Sequence, residues 1–366
     1  MPLSKIQTIG NQVIPNLGRR NLVINGDMKV QQRYAAGTVT QAINSSYVGP
    51  DRYKFFLNGG GAYTVTQDSG HQADTGHDKA IKIAVTTADT SIAAGDYYSF
   101  IQRIESNSVQ HFQYGTSSAK SVTLSFWVRA TKTGTQALHF AKQGTGTDYR
   151  HIKEFTINAS NTWEHKTITI PGLTASTIVN DASTYFQVGW MLKYGSDWHG
   201  TKDSWITAAH YTTANAVNNM DTVGNVFYIT GVQLEVGDSA SEFEHRSFGE
   251  ELALCQRYLY KTPHVPPSHH YHSLCVGMAN GTTDMLFTLQ FPVTMRANPT
   301  LTTSGSFRVY NNGTVNPSGA ITLHTGGVNN AGFIVPIASG NVATRDAVIF
   351  SLITSTSGYM LFAAEL

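Results

Sequence analysis

The clearest pattern in the chain is strict alternation. Across Val122–Arg129, the side chains of Val122, Leu124, Phe126 and Val128 fall on one side of an extended backbone, and Thr123, Ser125, Trp127 and Arg129 on the other. A period of two marks a half-buried strand. Lys166–Ile170 alternates in the same way and stops at Pro171-Gly172, a turn signal. Ala80–Val85 and Tyr185–Leu192 read as further strands, Asn21–Met28 as the first of the set and Phe227–Gly237 as the last. Short strands separated by turns, with almost no helical period, predict a sandwich or jelly roll over residues 21–245. About 220 residues is generous for one sandwich, so long loops are expected. The foremost is Tyr194–Asn219, rich in Gly, Asp, Thr and Asn.

One helix stands out, over residues 247–261. Ser247 followed by Glu250 is a capping box. Leu252, Cys255 and Leu259, with Tyr258 beside them, form an apolar stripe. Arg257 and Lys261 are placed in the last turn, and Pro263 stops the helix. With the His- and Pro-rich segment after it, this makes a link over residues 246–273. Residues 274–366 are again β in pattern, with Met285–Phe291 and Ala347–Thr354 as strands. Tyr359–Leu366 is largely apolar and is expected inside a sheet. The fold class is therefore all-β: an N-terminal jelly-roll sandwich, one linking helix and a smaller C-terminal β-sandwich. Residues 1–20, polar and broken by Pro15 and Gly18, read either as a frayed end or as an arm that docks on something else.

Composition narrows the class. Only 13% of the 366 residues are charged, about half the usual share, and Gly, Ser, Thr, Asn and aromatics fill the gap. The formal net charge of +1 argues against broad electrostatic capture of nucleic acid or anionic membrane. No stretch approaches the roughly 20 apolar residues of a membrane-spanning helix, and the start has no apolar run. The chain is therefore expected to be made and folded in a cytoplasm, without membrane insertion. Two cysteines, Cys255 and Cys275, are too few for a disulfide scaffold.

Two resemblances emerge from the ends of the first domain. Asn21-Leu22-Val23-Ile24-Asn25-Gly26-Asp27-Met28, with the late Phe227–Glu235, resembles the first and last strands of carbohydrate-binding-module jelly rolls. The closing acids of those modules are replaced here by Thr230-Gly231, so their structural calcium is not expected, and Asp27 alone is too few oxygens for that ion. The ordered set Arg20–Gly26, Met28–Arg33, Asp51-Arg52-Tyr53, Leu124–Ala130 and Phe243–Tyr258 is similar to tail-fibre and receptor-binding proteins of tailed bacteriophages. Phe291–Thr300 is similar to the start of the second domain in such proteins. The resemblance implies a virion surface protein, synthesised in the host cytoplasm and assembled as a homotrimer. It implies attachment to other virion proteins through the N-terminal arm, and binding of a host-surface glycan. Tail and capsid exterior both remain open as its place.

Sugar binding needs flat aromatic faces and side chains that bond hydroxyls. Tyr194, Asp197, Trp198, Asp203 and Trp205 supply both within one loop and are the candidate glycan contacts; the alternative is that the two tryptophans pack down onto the sheet. Trp127, on the polar face of its strand, either lines a groove or is covered by this same loop, and the loop is the reading adopted. His270 and His272 are two apart, so an extended chain turns both imidazoles to one side. Three such pairs on a trimer axis would offer six nitrogens to a transition metal, an arrangement that the fibre resemblance also implies; the alternative is a solvated linker. Enzyme signatures are thin: no Gly-x-Ser-x-Gly, no phosphate loop, no His-Glu-x-x-His. Glu250 and Glu251 are neighbours on a helix and do not face each other. Asp197 and Asp203 could serve a polysaccharide depolymerase, but the expectation is adhesion rather than turnover, on the tail or as a head decoration.

Overall fold

The computed structural model describes residues 8–9, 12–13, 19–35, 37–262, 273–311, 314–338, 342–352 and 358–366. The chain forms two compact units, residues 1–246 and 247–366. In the first, the strands in chain order are β1 (Thr8–Ile9), β2 (Gln12–Val13), β3 (Thr40–Gln41), β4 (Lys54–Asn58), β5 (Ala62–Ser69), β6 (Lys79–Thr87) and β7 (Tyr97–Glu105). They continue with β8 (Val122–Ala130), β9 (Gly134–Gln143), β10 (Tyr149–Ile157), β11 (Glu164–Ile170), β12 (Tyr185–Tyr194), β13 (Trp205–Ile206) and β14 (Val226–Val236). A four-residue helix, α1 (Gln72–Thr75), lies between β5 and β6.

Two six-stranded antiparallel sheets make a jelly-roll sandwich. The first has the order β13-β10-β9-β12-β7-β4, the second β11-β8-β14-β6-β5-β3. Their inner faces carry the alternating apolar residues. Val122, Leu124, Phe126 and Val128 of β8 are all fully buried and meet Phe186, Val188, Trp190 and Leu192 of β12 in one core. Trp190 stacks on Phe100 at 5.2 Å and meets Phe126 of the opposite sheet edge-on at 5.6 Å, so one indole ties the two layers together.

Asn21–Met28 is not a strand. Asn25 and Met28 take left-handed backbone angles, φ 60° and 58°, which no ladder accommodates. The segment instead runs beside β14 as an irregular coil: Leu22 N–H donates to Leu234 O, Val232 N–H to Gly26 O, and Asn21 Oδ1 accepts from Leu234 N–H. It fits there because β14 bulges between Thr230 and Gln233, with Gly231 at φ 60°. Glu244, past the end of β14, accepts the backbone N–H groups of Arg20 and Asn21 at 3.2 and 2.8 Å. Arg246 donates back to the carbonyls of Asn21 and Val23.

The second unit begins with helix α2 (Phe248–Gln256), which ends five residues before the 261 that the sequence pattern suggests. Ser247 and Glu250 form the expected reciprocal capping box. The stripe residue Leu259 and the basic Lys261 are not helical: Leu259–Lys261 is strand β15, pairing with the last strand of the chain. Pairing that buries Leu259 outweighs one more helical turn. The remaining strands are β16 (Ser273–Ala279), β17 (Asp284–Gln290), β18 (Thr300–Ser304), β19 (Phe307–Asn311), β20 (Thr314–Pro317), β21 (Thr322–Gly326), β22 (Asn330–Pro336), β23 (Ala347–Leu352) and β24 (Tyr359–Ala363). They form a seven-stranded sheet, β20-β19-β23-β16-β17-β22-β21, and a three-stranded one, β15-β24-β18. The apolar final strand thus lies in the middle of the smaller sheet. Phe287, Phe307, Phe333, Phe350 and Phe362 fill the core of this unit. Neither Cys255 nor Cys275 forms a disulfide among the described residues. No helix among the described residues is long and apolar enough to cross a membrane. Most of the N-terminal arm lies outside the described residues, apart from the short β1–β2 pairing; so do His270 and His272.

Candidate functional site

The first sheet turns its outer face to a groove of about 230 Å³. Strand parity decides what lines it. Along β7, Tyr98, Phe100 and Ile104 join the core, leaving Tyr97, Ser99, Ile101 and Arg103 on the outside. On β12, Phe186, Val188, Trp190 and Leu192 point inward, so Gln187 faces out. Strict alternation would send Tyr194 inward with them. A bulge between Met191 and Lys193 reverses the parity, and Tyr194 pairs directly with Tyr97 on the groove side. β9 contributes His139 and Gln143, and β4 contributes Phe56. Gly189 pairs with His139, and its missing side chain lets the imidazole and Ile101 close over β12: a Cβ there would come within 2.6 Å of His139 Cε1 and 2.7 Å of Ile101 Cγ2.

The long 194–219 loop closes one end of this groove. It opens with a short 3₁₀ turn, Ser196–Trp198, after which β13 adds to the edge of the first sheet. Trp198 Nε1–H donates to Gly95 O at 3.1 Å, and Tyr211 N–H donates to Trp198 O at 3.0 Å. Four rings then form one aromatic wall. Trp198 lies edge-on to Tyr97 with centroids 5.8 Å apart, and 5.8 Å from Tyr211; Tyr194 is 5.8 Å from Tyr97 and 6.1 Å from Tyr211.

Polar groups make the floor. Ser99 Oγ and Tyr194 Oη lie 2.8 Å apart in a hydrogen bond. Arg103 Nε–H donates to Gln187 Oε1 at 3.2 Å, and the Gln187 amide donates in turn to His139 Nε2 at 2.7 Å. Burial, with the charge of Arg150 added, pushes His139 down to about 3. The ring is therefore neutral at pH 7. With Nε2 accepting, the proton sits on Nδ1, which has no hydrogen-bond partner among the described residues. Arg150 reaches the wall from β10, its guanidinium 5.4 Å from the Tyr211 ring. Arg103 stacks on Tyr185 at 4.4 Å. The site thus combines aromatic faces with donors whose positions are set by neighbouring strands.

Of the residues expected from sequence, the structure brings Tyr194 and Trp198 together in the groove. Asp197, in the same 3₁₀ turn, is exposed and does not line it. Asp203 is exposed too and accepts from Lys153 Nζ at 2.7 Å. Trp205 packs away from the groove: its Nε1–H donates to Pro171 O at 2.9 Å, and its ring meets His151 at 5.2 Å and Tyr114 at 5.8 Å. Trp127 is not covered by the 194–219 loop, because that loop folds over the first sheet while β8 belongs to the second. The indole meets His165 of β11 instead, at 5.1 Å. Tyr97, Arg103, His139, Gln187 and Tyr211 were not singled out in the sequence. The outward set Tyr97, Ser99, Ile101, Arg103 on β7, amphipathic on a face that should be plainly polar, is a signal for Tyr97 and Arg103; His139, Gln187 and Tyr211 lie on other elements and carry no such local signal.

No protein-family profile matches this chain, and no curated protein matches it. Among solved structures, it is similar to the enzymatically active domain of tailspike protein 4 of bacteriophage CBA120, at 13% identity and a TM-score of 0.31, over 60% of this chain and 22% of that one. It is also similar to a family 11 carbohydrate-binding module of a Clostridium thermocellum cellulase, at 12% identity and a TM-score of 0.30, over 57% of this chain and 100% of that one. A xylan-binding domain from Paenibacillus barcinonensis matches at 10% identity and a TM-score of 0.24, over 57% of this chain and 99% of that one. This chain thus spans about a fifth of the length of the tailspike chain.

Proposed function

We propose that this protein binds a glycan in the groove on the outer face of its first sheet. The observation that carries the reading is the meeting, in one groove, of the Tyr97–Tyr194–Trp198–Tyr211 wall with the Arg103–Gln187–His139 chain. Aromatic faces take the apolar side of a pyranose ring, and fixed donors and acceptors select its hydroxyls. The eleven lining residues supply stacking, amide, guanidinium and imidazole groups, an inventory for recognition. His139 Nδ1, buried beneath the groove, has no hydrogen-bond partner among the described residues.

The sequence resemblance to phage tail-fibre and receptor-binding proteins extends the proposal to the protein's setting. On that reading the chain is a virion surface adhesin of a tailed phage, homotrimeric and joined to other virion proteins through residues 1–20. Three copies would raise avidity for a weakly held sugar through effective concentration. The test is titration of purified protein with host-surface polysaccharide fragments, wild type against Trp198→Ala. Saturable binding that the variant loses, with polysaccharide chain length unchanged after incubation, supports the adhesin. Binding that Trp198→Ala leaves intact removes the groove from the proposal, and shortened chains replace the adhesin with a depolymerase. Competition for host-cell adsorption by the isolated protein separates a receptor-binding role from head decoration.

A further inference from the structure

A second constellation lies away from the groove. Asp27, His77 and His245 each offer one ligand atom, and these atoms all lie within 4.8 Å of one another. They come from three separate segments of the first unit: the coil beside β14, the connection between α1 and β6, and the stretch that follows β14. We propose that they form a mononuclear site for a transition metal, with Zn²⁺ as the ion that best suits the donors.

Four observations support the site. Asp27 is only 9% exposed, and its Oδ1 is buried with no hydrogen-bond partner among the described residues. A buried carboxylate oxygen without a donor is costly unless something cationic reaches it. Oδ2 is already engaged by Lys29 Nζ at 2.9 Å, and Lys29 also donates to Arg246 O, so the lysine holds the carboxylate while leaving Oδ1 free. The His77 and His245 rings lie nearly parallel, 28° apart with centroids at 5.5 Å, and Phe243 meets both edge-on at 4.6 and 5.0 Å. The aromatic neighbour covers one edge of each ring and offers neither a hydrogen bond; His77 is buried and His245 is exposed. Finally, Gly231 brings the β14 bulge against His77, where a Cβ would come within 2.6 Å of Nε2. Any side chain there would fill the space beside the imidazole.

The donor chemistry narrows the ion. Two imidazoles and one carboxylate suit Zn²⁺, at bonds of about 2.0–2.2 Å in a tetrahedral arrangement with one position left for water. Calcium, which takes six to eight oxygens, is a poor match. Ligand atoms spread over as much as 4.8 Å must draw together onto the ion. His245 is exposed and can make that adjustment, while Glu244 and Arg246 on either side hold the backbone to residues 20–23. The alternation is direct: 243 and 245 face the site, 244 and 246 face the coil. A bound metal would therefore fasten the exit of the first unit to the coil beside β14 and to the β5–β6 connection.

The test uses the full chain with His264, His269, His270 and His272 changed to Ala, so that the histidine-rich segment cannot supply the ligands. Chelator-treated protein is titrated with Zn²⁺, and separately with Co²⁺, whose visible spectrum reports coordination. The expected result is one metal per chain, a Co²⁺ spectrum of low coordination number, and a denaturation midpoint that rises with free Zn²⁺. Asp27→Asn and His245→Ala should each weaken the metal at least about tenfold. His245 is exposed, so His245→Ala folds even if changes at the buried Asp27 or His77 do not. Absence of stoichiometric metal in the parent chain, or affinity unchanged in His245→Ala, overturns the site.

Discussion

His139 rests on Gly189: the two residues pair across β9 and β12, and the imidazole occupies the space where a side chain would stand. Gly189→Ala should therefore push His139 and Ile101 out of place and cost roughly 1–3 kcal/mol by overpacking. It should also weaken glycan binding in the groove. Adding His139→Ala should recover part of the stability but not the binding. Denaturation and titration of the two single variants and the double variant would show it. Full additivity in stability would mean that the contact is not what positions the ring.

Below the groove, Tyr98 joins two elements. Its hydroxyl donates to Asp89 Oδ2 at 2.6 Å and accepts from Gly61 N–H at 2.8 Å, and the side chain is fully buried. Tyr98→Phe leaves a carboxylate oxygen and a backbone donor without this partner, and is expected to cost about 1.5–3 kcal/mol. Urea denaturation checks it. A loss below half a kilocalorie, on the order of a neutral surface substitution, would show that water replaces the hydroxyl.

Stability should fall with acid. His139 is held at about 3, by burial and then Arg150. His151 is held at about 4, by burial and then Lys153, with Asp203 opposing. Both lie below the ordinary 6.5, so below that pH the unfolded chain binds protons that the folded chain refuses. Their contribution is complete above about pH 6.5 and drains away as pH falls toward 4 and then 3. Urea midpoints measured from neutral pH down to about pH 4 are expected to drop, and His139→Gln should flatten the curve. The same slope in wild type and variant would remove His139 as a cause.

The capping box offers a probe confined to the second unit. Ser247→Ala removes the acceptor for Glu250 N–H at 3.2 Å and should cost about 0.5–2 kcal/mol. Near-ultraviolet and calorimetric unfolding should show the loss in the transition of residues 247–366. An equal shift in every transition would mean that the two units unfold as one.

How much of this was legible in the sequence depends on how local the cause is. The faces of β8 could be read outright, because one apolar side and one polar side follow from eight consecutive residues. The capping box was legible for the same reason. The end of α2 was not: Leu259 keeps helical spacing, and only its pairing with Ala363, far along the chain, makes it a strand. Asn21–Met28 has the composition of a strand, but two left-handed residues and the β14 bulge give it another course. In the groove, Trp198 and Tyr194 were visible as aromatics in a polar loop. The orientation of Tyr194 was not, since a one-residue bulge reverses parity without altering composition. His139, Gln187 and Arg103 are joined only by register between three strands, which no single stretch of sequence displays.

The bonds from Glu244 and Arg246 to residues 20–23 have a mechanical consequence. They bring the chain's way into the sandwich alongside its way out. A pull applied between the residues before Arg20 and the residues after Arg246 would load this short clasp first and leave the two sheets slack. The sandwich would then behave under tension as a bead hung from a closed ring, and its groove would keep its shape for as long as the clasp holds.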